Sequence, residues 1–131
     1  MNATSDSEGI DAVSEAIIGA AFEVSNQLGV GFLEKVYENA LIHELTLRDL
    51  NTRSQEPLPV NVKYKGHAVG KYYADILVEG KVIVEIKCAD AFARQHMAQC
   101  LNYLKATGLQ LALLLNFQTP KVAVKRIVRN L

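Results

Sequence analysis

Little in this sequence is in excess, and the shortages narrow the field. There is no surplus of charge: 14 lysines and arginines balance 14 aspartates and glutamates, and the pI is about 6.8. A chain with no net basic field does not hold nucleic acid by global attraction, so any such contact must come from local cations. Cysteine is scarce. Cys88 and Cys100 form no CxxC pair, which argues against a structural zinc site and against a disulfide framework. No apolar run reaches the ~18 residues that a bilayer-spanning helix needs, so no membrane partner is expected. The opening "MNATSDSEG" lacks the basic stretch and apolar segment of a signal peptide, and the expected compartment is cytoplasmic. What remains is core material. Half of the 131 residues are apolar, enough to fold as one domain.

Residues 1–9 read as a flexible tail and residues 10–131 as a single domain. From Ile10 the apolar residues Val13, Ile17, Ala21, Val24 and Leu28 recur at helical spacing, and Gly29 is suited to end that helix. The stretch "FLEKVYENALIHELTLRDL" predicts a second helix with Leu33, Val36, Tyr37, Ala40 and Leu41 on its apolar face. The two prolines of "NTRSQEPLP" forbid a helix and break the pattern. Three strands follow in "VNVKY", "HAVGKYYADILV" and "KVIVEIK". A third helix, "DAFARQHMAQCLNYLKATG", takes Asp90 as its N-cap. "LQLALLLNF" predicts a strand buried on both faces, and "VAVKRIV" a last strand. The order ααβββαββ implies a mixed central sheet flanked by helices, an α/β (α+β mixed) fold.

The hairpin "DILVEGKVIVEIK" carries the chemistry. Glu85 and Lys87 alternate onto one face with Ile83, while Val82, Val84 and Ile86 line the other. Whether Asp75 joins them depends on the turn. A two-residue loop, Glu79-Gly80, pairs Asp75 with Val84. A three-residue loop, Val78-Glu79-Gly80, pairs Leu77 with Lys81 and sets Asp75 opposite Ile83, on the face of Glu85 and Lys87. Gly80 suits the third position, so the longer loop is expected. Two carboxylates with room for water suit Mg²⁺, which takes oxygen ligands. A lysine beside them can orient a water or offset charge on a phosphate. On the second helix Glu34 aligns with Tyr37, Leu41 and Leu45, which predicts partial burial. On the third, Phe92, His96, Gln99 and Tyr103 form a stripe flanking the face of Met97, Cys100, Leu101 and Leu104.

"GFLEKVY", Gly31 to Tyr37, matches the pattern of the GxxExxY proteins. "YKGHAVGKYYADILVEGKVIVEIK", "QHMAQCLNYLKATGL" and "LLLNF" follow in the same order, so the chain resembles that family from about Ile10 to Val128. The family is grouped with the PD-(D/E)XK nuclease superfamily. The resemblance implies a restriction-endonuclease-like core and a Mg²⁺- or Mn²⁺-dependent phosphodiesterase site. The acidic residue of the first helical region falls on Glu34, the central Asp on Asp75, the (D/E)xK pair on Glu85 and Lys87, and the helical glutamine on Gln99. Ala74 stands where the superfamily has a proline before the Asp, which removes no ligand. On this reading Asp75, Glu85 and the Ile86 carbonyl hold the metal with help from Glu34. The partner is nucleic acid, DNA before RNA. Its cationic contacts come from Lys63, Lys65 and Lys71 or from Lys121, Lys125, Arg126 and Arg129. A homodimer is admitted. The alternative is a non-catalytic, oligomeric interaction module of the same fold. A cysteine enzyme on Cys88 and His96 is disfavoured, because Cys88 alternates away from Lys87.

Overall fold

The computed structural model describes the backbone of residues 3–130 and the side chains within it other than those of 3–8, 56–62 and 72. Eight elements follow in the anticipated order: α1 (Ala3–Leu28), α2 (Glu34–Leu47), β1 (Thr52–Tyr64), β2 (His67–Val78), β3 (Val82–Lys87), α3 (Arg94–Thr107), β4 (Leu111–Asn116) and β5 (Ala123–Val128). The strands form one sheet in the order β1-β2-β3-β4-β5. Neighbours are antiparallel except β3 and β4, which are parallel. A parallel step needs a crossover, and α3 supplies it.

Two cores flank the sheet. On one face α1 and α2 pack Ile17, Val24, Tyr37, Leu41 and Leu45 against Ile76, Val84, Ile86 and Leu113. On the other, Cys100, Tyr103 and Leu104 of α3 meet Ile83 and Ala112. Each of the six β4 residues is buried, as an unbroken apolar run between two helical layers requires.

Several boundaries differ from expectation, each for a physical reason. α1 reaches back to Ala3, into the stretch read as a tail. Hydrophobic periodicity marks where a helix acquires a buried face, here at Ile10, not where its backbone begins. Met1 and Asn2, the start of that stretch, lie outside the described residues. From Thr52 on, the segment "NTRSQEPLP" is part of β1 and not a break. β1 is an edge strand, the place in a sheet where proline is tolerated. α3 starts at Arg94 with Ala93 as its N-cap, so Asp90 caps nothing. Its buried side chains are Cys100, Tyr103 and Leu104, while Leu101 is exposed. The buried face of α2 is Tyr37, Glu38, Leu41 and Leu45. Leu33, 80% exposed, precedes the helix as its N-cap. Glu38 tolerates burial because Lys35 pairs with its Oε2 and Gln55 Nε2 donates to its Oε1 at 3.0 Å.

The β2–β3 turn is the most consequential difference. Lys81 N–H bonds Val78 O at 3.0 Å, and Glu79 and Gly80 both have positive φ, 53° and 62°. Val78 faces Val82 and Leu77 faces Ile83. The loop is therefore Glu79-Gly80-Lys81, one residue later than expected. Val78 is fully buried, so looping it out would cost core contacts. The shift moves every β2 partner by two residues, and a two-residue shift keeps each side chain on its face.

Candidate active site

β2 and β3 are paired only from Val78–Val82 to Ile76–Val84. Carried one step further, that register sets Asp75 across from Glu85, and there the strands part. Each carboxylate takes a backbone donor from the opposite strand. Ile86 N–H donates to Asp75 Oδ2 at 2.8 Å, and Asp75 N–H reaches Glu85 Oε1 at 3.4 Å. These side chains satisfy N–H groups that the ladder has left behind. In an extended strand the N–H and C=O of one residue point to the same edge. The Ile86 carbonyl therefore faces the same gap, while its side chain is buried in the α1–α2 core.

Burial governs the electrostatics. Glu85 is 6% exposed, and its carboxyl is pushed up to about 9, first by burial and then by the charge and hydrogen bond of Asp75. Lys87, half-buried two residues along β3, pulls the other way. Burial beside a second carboxylate thus favours the protonated form of Glu85. Two carboxyls and a carbonyl turned into one gap are an oxygen-only donor set, and a divalent cation in place of the shared proton is what such a pair accommodates.

Glu34 is placed differently. It is the first residue of α2 and exposed, so the expected burial is not met. The helix has not yet settled onto the sheet at its first residue. Glu34 Oε2 nevertheless accepts the Cys88 N–H at 3.1 Å, which fixes it at the end of β3, one residue beyond Lys87. Among the described residues no three His, Cys, Asp or Glu side chains gather as a metal-holding group. Glu34 thus stands beside the Asp75–Glu85 pair and not within it. Gln99 is exposed on α3. The α3 side chain that feels the pair is the buried Cys100, whose thiol is pushed up to about 12 by burial and then by Glu85. Cys88 is likewise raised, by burial and then Glu34. His96 Nδ1 accepts the Ala93 N–H at 3.3 Å and so caps α3. Neither residue is set up as a nucleophile or its base.

The stretch "GFLEKVY" divides its labour. Tyr37 is fully buried. Its hydroxyl donates to Gly29 O at 2.7 Å and accepts the Phe32 N–H at 3.3 Å. Its ring stacks on Phe117 at 4.7 Å. Phe117 N–H in turn bonds Lys87 O at 3.0 Å. Gly31, at φ 106°, makes the bend that lets the loop close on Tyr37. The tyrosine builds the corner on which Glu34 is presented. Asn116 completes that corner and went unremarked in the sequence. Its Nδ2 donates to Ala89 O at 2.7 Å, and its Oδ1 accepts the Ala89 and Gln118 N–H groups at 3.2 and 3.0 Å. A lone polar residue closing the apolar run "LALLLN" was the available signal.

Two surface clefts lie far from this chemistry, at the opposite end of the sheet. One is lined by Ile10, Lys81 and Gly108–Gln110, the other by Asn51–Arg53, Leu77, Glu79 and Gly80. Neither brings together groups that could act on a substrate.

Comparison with known proteins agrees with the fold. The family profile of the PD-(D/E)XK nuclease superfamily matches residues 11–127. A crystal structure of SSO0001 is similar, with a TM-score of 0.56 and 18% identity over 74% of this chain and 51% of that one. So is an alkaline exonuclease, LHK-Exo, from Laribacter hongkongensis, with a TM-score of 0.52 and 14% identity over 73% of this chain and 56% of the other. The chain spans about half the length of these solved structures, and at such identities the likeness is one of fold. No curated protein matches the chain.

Proposed function

For a chain that belongs to the PD-(D/E)XK nuclease superfamily, we propose the function of a divalent-metal-dependent nuclease hydrolysing phosphodiester bonds in DNA. The observation that carries the reading is the reciprocal Asp75–Glu85 pair at the point where β2 and β3 separate, with Lys87 on the same strand face. Nucleases of this superfamily generally use divalent metals. Asp75, Glu85 and the Ile86 carbonyl would hold the ion, Mg²⁺ or Mn²⁺. When bound, it would polarise a phosphoryl oxygen and make water a stronger nucleophile.

The remaining work falls to this chain's own residues. Lys87 would position the attacking water and offset charge that develops on the phosphate. Glu34, held at Cys88, would order a second water at the mouth of the gap or help hold a second ion. Gln99, exposed on α3, would meet the substrate phosphate and not Lys87. Within the superfamily the Gly31–Tyr37 stretch makes this a GxxExxY-type protein in our reading, with a cytoplasmic location. No helix among the described residues is long and apolar enough to cross a membrane.

The test is a cleavage assay over single-stranded, duplex, flap and junction DNA with Mg²⁺ or Mn²⁺, run beside Lys87→Ala and a calorimetric Mn²⁺ titration. Metal-dependent cleavage lost in Lys87→Ala supports the reading. A chain that neither cuts nor binds the ion through its carboxylates is instead an interaction module built on a nuclease fold.

A further inference from the structure

β1 and β2 continue well past the end of β3. Carried along the β2–β3 register, Lys87 stands level with Tyr73, yet the hairpin runs on to its tip at Lys65-Gly66, with Tyr64 facing His67. That overhang leaves the sheet at the end that holds Asp75 and Glu85. Its described side chains from Lys63 to Lys71 are all exposed, and between Glu56 and Asp75 the sequence has three lysines and no acidic residue. Tyr64 and Tyr73 are 65% and 50% exposed, and the Lys65 ammonium lies 5.5 Å from the centre of the Tyr64 ring. The register shift between Pro57 and Asn61 adds residues to β1 and none to β2, so Lys71, Tyr73 and Asp75 follow along β2 with one residue between each. Along the strand these three stand at steps of about 6.6–6.8 Å.

We propose that this hairpin is a track for single-stranded nucleic acid that leads into the Asp75–Glu85 gap. Cations alone would suit any polyanion. Cations interleaved with exposed aromatic rings suit a strand whose bases are free to stack, which a duplex interior denies. Lys71 takes a phosphate, Tyr73 takes a base, and two residues further along β2 stands Asp75, which would help hold the metal. Phe32, exposed in the loop that presents Glu34, offers a further apolar surface near the end of β3. The inference rests on the nuclease reading and names its substrate class.

The test is fluorescence anisotropy of a labelled oligodeoxythymidylate and of a blunt duplex of equal length, in calcium and again in EDTA. Wild type should bind the single strand on the order of ten-fold more tightly than the duplex. Tyr73→Ala and Tyr64→Ala should each weaken single-strand binding about ten-fold, and Lys71→Ala should lower the salt slope by about 0.7. Thermal melts report whether these variants fold. The double variant Lys63→Ser, Lys65→Ser at the exposed tip serves if a tyrosine variant does not, and it too should lose affinity. Equal binding of strand and duplex overturns the proposal, as does unchanged strand binding in folded hairpin variants. Hairpin-dependent strand binding without cleavage in Mg²⁺ or Mn²⁺ would sink the nuclease reading and leave the track. Duplex cleavage with hairpin-independent binding would do the reverse.

Discussion

β2 and β3 begin as one kind of structure and end as another. At the turn, Val78 faces Val82, the ladder is complete, and the side chains are fully buried. A few residues away, at Asp75 and Glu85, the ladder has stopped and carboxylates take its place as acceptors of backbone N–H groups. The first end has apolar packing on both faces and no use for charge. The second has a gap between strands, and a gap is where a buried carboxylate can keep its hydrogen bonds and still face a ligand. The same two strands thus separate stability from chemistry by where pairing ends.

The sharpest way to break that comparison is to edit the open end. Lys87→Ala and Glu85→Gln should each cut cleavage by about 10²–10³-fold, the usual loss when one charge-stabilising group is removed. The two should part in calorimetry. Mn²⁺ affinity falls in Glu85→Gln, which loses a ligand charge, and persists or tightens in Lys87→Ala, which loses a competing cation. Equal Mn²⁺ binding by wild type and Glu85→Gln would remove the open end from the metal chemistry altogether.

The closed end should respond in the opposite currency. Leu111 is fully buried on β4 opposite Val82. Leu111→Ala should cost about 2–5 kcal/mol of stability, read by urea unfolding, with Mn²⁺ affinity of the folded protein unchanged. A metal defect in that variant would mean that the two ends are not independent.

Proton linkage sharpens the contrast further. The folded Glu85 carboxyl holds its proton to about pH 9, whereas the ordinary value is 4.5. Between those values the folded chain binds one more proton than the unfolded chain. The contribution is therefore fully present below about pH 4.5 and is lost as pH rises toward 9, with a slope of about 1.4 kcal/mol per pH unit. Denaturation of the metal-free protein should show this decline. Glu85→Gln should flatten it, and added Mn²⁺ should restore stability at high pH because the ion replaces the proton. A flat profile in wild type would show that Glu85 is not held neutral.

The smallest effect is expected at the corner beside the open end. Tyr37→Phe leaves Gly29 O and Phe32 N–H without their partner and should cost about 0.5–1.5 kcal/mol. Activity should drop through Glu34, while the pH signature of Glu85 stays as in wild type. Loss of that signature in Tyr37→Phe would tie the corner directly to the carboxylate pair.

Much of this was legible beforehand, and the failures share a cause. Element order, the doubly buried β4 and the shared face of Glu85 and Lys87 follow from periodicity, which a strand or helix cannot disobey without exposing its core. The turn was misplaced by one residue because Gly80 fits either loop, and only the burial of Val78 chooses between them. Glu34 was expected to be buried because its spacing matched Tyr37, Leu41 and Leu45, yet spacing does not say where along a helix contact with the sheet begins. Gln99 and Cys100 are adjacent in sequence, and a helix turns about 100° between neighbours, so the one facing the carboxylates could not be read from the pattern alone.

The sequence by itself determined which residues alternate together, because pleat and helical pitch are local properties of the chain. It also placed the carboxylates and lysine on strands and the tyrosine of "GFLEKVY" among apolar neighbours. Only the tertiary structure decided that β2 and β3 part at Asp75, that Glu34 reaches the end of β3 through the Cys88 N–H, and that the β1–β2 hairpin overhangs the same edge. Those are relations between segments tens of residues apart. They are set by which surfaces bury against which, a property of the folded whole that no local spacing contains.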